Sequence, residues 1–199
     1  HTRLQGDWSS DVCSSDLDDQ HGTAITLLGG LINAAKLAEK PFSEMTVVIN
    51  GAGAAGTAIA ELLLGIGYDY PGFEPVKRVI VCDTKGVLTL KREGIDGSPA
   101  KAELARMTNS EGQNGTLADA MVGADVFVGV SVANTVTQDM VRSMADKPVI
   151  FAMANPVPEI MPDDAKEAGA FIVGTGRSDF ANQVNNVRSE EHTSELQSP

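Results

Sequence analysis

Residues 45–67 read MTVVINGAGAAGTAIAELLLGIG, and this stretch decides the fold. Met45–Asn50 is a short run rich in β-branched residues, which reads as a strand. It leads straight into Gly51-Ala52-Gly53-Ala54-Ala55-Gly56, after which residues 57–67 take up helical periodicity. Arg78–Asp83 (RVIVCD) is a second short apolar run of the kind that is buried on both faces. Strand, glycine turn, helix and strand form a βαβ unit, whose two parallel strands require a crossover and whose hand is expected to be right. Tyr68–Pro75 (YDYPGFEP) carries the prolines and glycine of an excursion loop and lengthens that unit.

The alternation continues on either side. Upstream, residues 22–40 read as a helix with an apolar face of Leu27, Leu28, Leu31, Ile32, Ala35 and Leu37. Downstream, helices are expected over 116–123, 137–145 and 163–169, with strands over 125–130, 148–155 and 171–176. Helices alternating with short continuous apolar strands imply an α/β fold with an open, doubly wound parallel sheet, because both faces of each strand must be covered.

The two chain ends read differently. Arg188–Ser198 (RSEEHTSELQS) can be encoded by one strand of a sequencing-library adapter, and Asp7–Leu17 (DWSSDVCSSDL) by the opposite strand of the same oligonucleotide. Residues 1–17 and 188–199 are therefore read as adapter-like artefact, leaving 18–187 as the native domain, truncated at both ends. That exclusion sets aside Trp8, Cys13 and His192.

A chain of 199 residues, 42% hydrophobic and 21% charged, buries one good core. Its formal net charge of −12 argues against nucleic-acid partners and anionic membrane surfaces, which need a basic face. No apolar run reaches the length of a membrane span, and no secretory pattern opens the sequence, so a cytoplasmic protein is expected. Two cysteines, Cys13 and Cys82, make neither a disulfide framework nor a CxxC pair.

A dinucleotide site needs a tight turn at a strand end, backbone that approaches a pyrophosphate, and a small residue where helix meets strand. Gly51, Gly53 and Gly56 supply these in order, with Ala52 in the same turn and Ala54, Ala55 and Gly56 leaving the helix N-terminus unobstructed for the anion. The rival readings are glycines that only pack helix on sheet, or a methyltransferase. Asp83 at the end of the next strand suits the ribose hydroxyls of NAD, whereas the nearby Lys85 suits the 2′-phosphate of NADP, and of the two NAD is preferred on the sequence. Asp18 and Asp19 stand just before the expected helix, where they can act as oxygen ligands for Mg²⁺ or Mn²⁺ or as an ordinary N-cap. His21 is assigned no catalytic role. Asn155, after the 148–155 strand, and the Asn185-Asn186 pair sit where ligands of such sheets lie, although turn chemistry accounts for them equally well.

Taken together, DDQHGTA (18–24), GLINAAK (30–36), VINGAGAAGTAIAELL (48–63), VCDTKGVL (81–88), ADVFVGVS (124–131), FAMANPVPEI (151–160) and GTGRSDFANQVNNV (174–187) resemble the malic enzymes. The resemblance is to the bacterial type rather than the eukaryotic one, which carries DDIQGTA at the first motif. It implies a Rossmann-type NAD(P)-binding domain from an enzyme that oxidatively decarboxylates (S)-malate to pyruvate and CO₂ with NAD or NADP and Mg²⁺ or Mn²⁺. It further implies that Asp19 is a metal ligand supported by Asp18, that Gly51–Gly56 and Asp83 hold the cofactor, that Asn155 lies near nicotinamide and substrate, and that Asn186 holds the substrate carboxylate. The family's catalytic tyrosine and lysine, and the Glu-Asp pair completing its metal site, belong upstream of Asp18, so no catalytic residue is assigned in this chain. Ala181 departs from the family's usual proline. The parent protein is expected to be a homo-oligomer acting on a small molecule, without nucleic-acid or membrane partners. Two alternatives stay open: a stand-alone dinucleotide-binding module without catalysis, and another two-domain dehydrogenase. The DDQHGTA and NPVPEI segments speak against the latter, since nucleotide binding alone requires neither.

Overall fold

The computed structural model describes residues 14–67, 72–180 and 182–184, with side chains described from residue 22 onward. Six strands, β1 (Thr46–Asn50), β2 (Arg78–Asp83), β3 (Gly86–Val87), β4 (Val126–Gly129), β5 (Val149–Ala152) and β6 (Ile172–Thr175), form one sheet in the order β3-β2-β1-β4-β5-β6. All pairings are parallel except β2 with β3, a short antiparallel return at the edge.

Register explains why the strands lack polar alternation. Ile80, Val48, Phe127, Ile150 and Val173 line up across the sheet on one face, and Val79, Val47, Val126, Val149 and Ile172 on the other. Each face has its own core. On one side the strand residues Val47, Ile49 and Val128 pack with Leu27 and Leu31 of α1 (Ser14–Ala38), Ile59 and Leu63 of α2 (Ala54–Leu63), and Leu104 of α3 (Pro99–Met107). On the other, Val48, Phe127 and Ile150 pack with Met121 of α4 (Leu117–Met121), Val141 of α5 (Gln138–Arg142) and Ala165 of α6 (Pro162–Glu167). The sheet is thus covered on both faces, as a parallel sheet requires.

Local chemistry sets the helix starts. Thr116 and Thr137 cap α4 and α5 by accepting the N–H of Asp119 and Met140, and Pro99 and Pro162 occupy the first turn of α3 and α6, where a missing N–H costs nothing. At the amino edge of the sheet Lys40 pairs with Asp125 at 2.7 Å, and Asp125 also accepts the N–H of Thr46 at 2.9 Å, so the end of α1 is tied to the starts of β1 and β4.

The structure departs from the sequence reading in three places. α1 begins at Ser14, so Asp18, Asp19 and His21 lie within its span and not ahead of its first turn; no proline or glycine interrupts residues 14–21 to stop a helix there. The buried stripe of α1 is Ala24, Leu27, Leu31, Ala34, Ala35 and Ala38, spaced as one helical face, which leaves Ile32 and Leu37 exposed. β3 and α3 were not expected, because a two-residue strand has no periodicity and α3 (PAKAELARM) is short and polar. No described helix is long and apolar enough to cross a membrane.

Phe127 is fully buried at the middle of the sheet. Phe127→Ala is expected to destabilise the domain by about 3–5 kcal/mol, read as a lower urea midpoint, while Val122→Ala at an exposed position should stay within about 0.5 kcal/mol.

Candidate functional site

β1 passes into α2 on one face of the sheet, and β4 into α5 on the opposite face. Because β1 and β4 are neighbours, the connections leaving their carboxyl ends diverge to opposite faces and leave a crevice, the place where open α/β sheets bind ligands.

The glycine turn shapes one wall. Gly51 sits at φ +136°, a conformation that side-chain-bearing residues rarely adopt, and a Cβ there would lie 2.7 Å from the Val130 carbonyl oxygen. Its own N–H donates to the Cys82 carbonyl at 2.9 Å, binding the turn to β2. A Cβ on Gly56 would lie 1.8 Å from the Gly51 carbonyl oxygen, so only glycine lets α2 rest on the end of β1. Gly53, by contrast, has open space around it. It caps α2 without any side chain to satisfy the first-turn N–H groups, and Gly53 and Ala54 are exposed. The positive end of α2 therefore faces the crevice with its donors available to an anion.

Asn50, the last residue of β1, is buried and donates from Nδ2 to the Thr135 hydroxyl at 3.1 Å, tying β1 to the segment after β4. Beside it opens a cavity of about 330 Å³ lined by Asp83, Lys85, Thr116, Ser131 and Thr135 among others. The carboxylate of Asp83 is engaged from within the protein. One oxygen accepts the Lys85 N–H at 2.9 Å and an Arg92 N–H at 2.8 Å, and the other accepts the second Arg92 arm at 2.8 Å and the Lys101 ammonium at 2.6 Å. Burial alone would raise its pKa, but the Arg92 and Lys101 donors, with the Lys85 N–H, hold it well below the usual carboxylate range. A carboxylate has about four acceptor positions, and here all four are used. Sharing Asp83 and Lys85 with the first, a second cavity of about 290 Å³ is lined also by Arg92, Ser98 and Lys101, three cations around one acid.

Asn155 lies past the end of β5, exposed, and its peptide bond to Pro156 is cis. β4 separates β5 from β1, which places Asn155 at the carboxyl edge two strands along from the glycine turn. Arg177, beyond β6, donates to the Pro156 carbonyl and pairs with Asp179 at 2.7 Å, holding the segment after β6 against the Asn155–Pro156 turn. The structure thus brings Gly51–Gly56 and Asp83 to one crevice and sets Asn155 along the same edge. Asn186 lies outside the described residues, as do the side chains of Asp18 and Asp19. Among the described residues no three His, Cys, Asp or Glu side chains converge.

Sequence reasoning missed Asn50, Thr135, Arg92 and Lys101. Asn50 carried a signal, a polar residue closing a buried strand; the cations did not, because they reach Asp83 from 9 and 18 residues away through β3 and α3.

The family model described as malic enzyme, NAD binding domain, matches residues 20–193. The chain is 55% identical over 170 residues to the bifunctional malic/malolactic enzyme of Bacillus subtilis, covering 85% of this chain and 39% of that protein. It is 43% identical to the NAD-dependent malic enzyme of Geobacillus stearothermophilus, covering 85% of this chain and 33% of that one. The crystal structure of the NAD-dependent malic enzyme of Thermotoga maritima superposes with a TM-score of 0.79 at 48% identity, over 85% of this chain and 43% of that one. The chain therefore spans between about a third and just over two fifths of the length of these relatives.

The two glycines of the turn separate packing from binding. Gly56→Ala is expected to cost about 3 kcal/mol or more, seen as a fall in thermal midpoint, because the new methyl meets backbone. Gly53→Ala should fold with little change yet lose about tenfold or more in affinity for a reduced nicotinamide dinucleotide, NADH or NADPH, by fluorescence titration, since its methyl occupies the approach to the anion.

Proposed function

The chain belongs to the malic enzyme NAD-binding domain family, and from that premise we propose that it holds NADP in the β1–β4 crevice as the dinucleotide-binding part of an enzyme that oxidatively decarboxylates malate to pyruvate and CO₂. The single observation that carries the reading is the glycine turn itself: Gly56 against the Gly51 carbonyl, with the open Gly53 at the head of α2. The N–H groups of that first turn bind the pyrophosphate, and Gly53 leaves them room to do so. When bound, the nicotinamide supplies the hydride acceptor for the hydroxyl-bearing carbon of the substrate.

NADP is preferred to NAD because Asp83 has no acceptor position left for ribose hydroxyls, while Lys85, Arg92 and Lys101 surround the adjoining cavity with positive charge. Asp83 then acts as the anchor that orders Arg92 and Lys101, and these two with Lys85 hold the 2′-phosphate. Asn155 is assigned to the nicotinamide and substrate end of the crevice, and Asn186 to the substrate carboxylate. Asp19, supported by Asp18, is assigned to Mg²⁺ or Mn²⁺, whose role is to polarise the substrate oxygen. One of these aspartates can contribute to a metal site but not complete one, and no proton-transfer residue is assigned among those described.

Titration of the chain with NADPH and NADH tests the cofactor reading. NADPH is expected to bind at least about tenfold more tightly, and Lys85→Gln or Lys101→Gln should reduce that ratio by weakening NADPH alone. Equal affinities would remove the preference for NADP, and tighter binding of NADH would assign the site to NAD. Malate-dependent reduction of NADP or NAD by this chain alone is expected to be undetectable with Mn²⁺ present; measurable turnover would mean that the residues here suffice for the chemistry.

A further inference from the structure

Glu159 is fully buried, and no salt bridge reaches it among the described residues. Burying a carboxylate without a cation is costly, so its surroundings must repay it with hydrogen bonds. One carboxylate oxygen accepts the N–H of Ser131 at 3.1 Å and the other the N–H of Ala154 at 3.0 Å. These donors occupy equivalent places just beyond the ends of adjacent strands: Gly129 of β4 is paired with Ala152 of β5, and each donor lies two residues further on. The last ladder bond between the strands runs from the Met153 N–H to the Gly129 carbonyl at 3.0 Å. Glu159 carries the connection past the point where the sheet itself stops.

The chain makes room for it. A Cβ on Gly129 would lie 2.2 Å from the carboxyl carbon of Glu159, so the glycine closing β4 is a socket for this side chain. The backbone around it is fastened to the same segment, since the Pro158 and Glu159 carbonyls accept the N–H groups of Asn134 and Val136, each at 3.1 Å. Ser131 lines the crevice cavity, and Asn155 follows Ala154 directly.

Resting on the dinucleotide reading above, we propose that Glu159 is a positioning residue that sets the nicotinamide-side lip of the crevice by fixing Ser131 and Asn155 relative to each other. With the pyrophosphate at the head of α2 and the adenosine half toward β2 and Asp83, the remaining half of a dinucleotide must extend over the ends of β4 and β5. Those two ends are what Glu159 joins. The role calls for a carboxylate specifically: both of its arms accept, whereas a glutamine would point its NH₂ at one of the two N–H donors. Burial pushes the carboxyl's pKa up, and the Ala154 and Ser131 N–H groups counter that by favouring the charged form.

The test compares Glu159→Gln with the unaltered chain in three measurements: thermal midpoint, NADPH binding followed by the fluorescence of its reduced nicotinamide, and ADP binding by calorimetry. ADP reaches only the adenosine and pyrophosphate half. The expected result is a loss of about tenfold or more in NADPH affinity, with a weaker nicotinamide fluorescence response, while ADP affinity stays within about twofold. Glu159→Asp keeps two acceptors on a shorter arm and should show the same split if the glutamine variant does not fold. Equal loss of both ligands, or loss of neither, would assign Glu159 a purely structural role and overturn the proposal while leaving the dinucleotide reading intact. If the unaltered chain binds neither NADPH nor ADP, the dinucleotide reading falls and the positioning role falls with it.

Discussion

The arrangement depends on one contact that no side chain could make: the Cα of Gly56 against the carbonyl oxygen of Gly51. That approach lets the first turn of α2 stand directly above the end of β1, and so fixes where the positive end of the helix points. Gly51 completes the turn at a backbone conformation closed to most residues and hands its N–H to β2. The wall that this turn forms is a consequence of backbone reaching where side chains are missing. The same device recurs at Gly129, where the missing Cβ admits the head of Glu159.

Two carboxylates near the crevice solve the problem of burial in opposite ways. Asp83 is matched with cations, its two oxygens gripped by Arg92 and Lys101. Glu159 is matched with peptide dipoles, through the N–H groups of Ser131 and Ala154. The first solution leaves a surplus of positive charge at the β2 end, in a chain whose formal net charge is −12. The second leaves the charge of the acid itself unneutralised at the β4–β5 end. A ligand lying along the edge would therefore meet an electropositive end and a rigid, polar one, an asymmetry that orients it.

Much of this was legible in the sequence because strand, glycine turn and helix are local. Met45–Gly56 specifies a shape within a dozen residues, and RVIVCD marked β2 with its bounds. The downstream strands were placed to within a few residues, since β-branched runs between turns leave little choice. What escaped was non-local or short. Arg92 and Lys101 matter only because β3 and α3 fold back toward Asp83, and nothing in their own neighbourhoods says so. Glu159 was visible as part of NPVPEI, but a carboxylate in a proline-rich turn looks solvated until the glycine that houses it is placed opposite. The face of α1 was read too broadly for a simpler reason: Ile32 and Leu37 are apolar yet turned from the sheet, and hydrophobicity alone does not distinguish the two sides of such a helix.

Cys82 has a consequence of another kind. It sits in β2 between Val81 and Asp83, fully buried, its backbone carbonyl receiving the Gly51 N–H. Burial, with the adjacent Asp83 charge, pushes its thiol up to about 12. Since the thiolate is the reactive form, the sulfur is silent toward alkylating reagents for as long as the sheet stays shut. Its rate of labelling is thus a clock for the opening of the central strands, and any ligand that tightens the glycine turn against β2 should slow that clock without touching the cysteine at all.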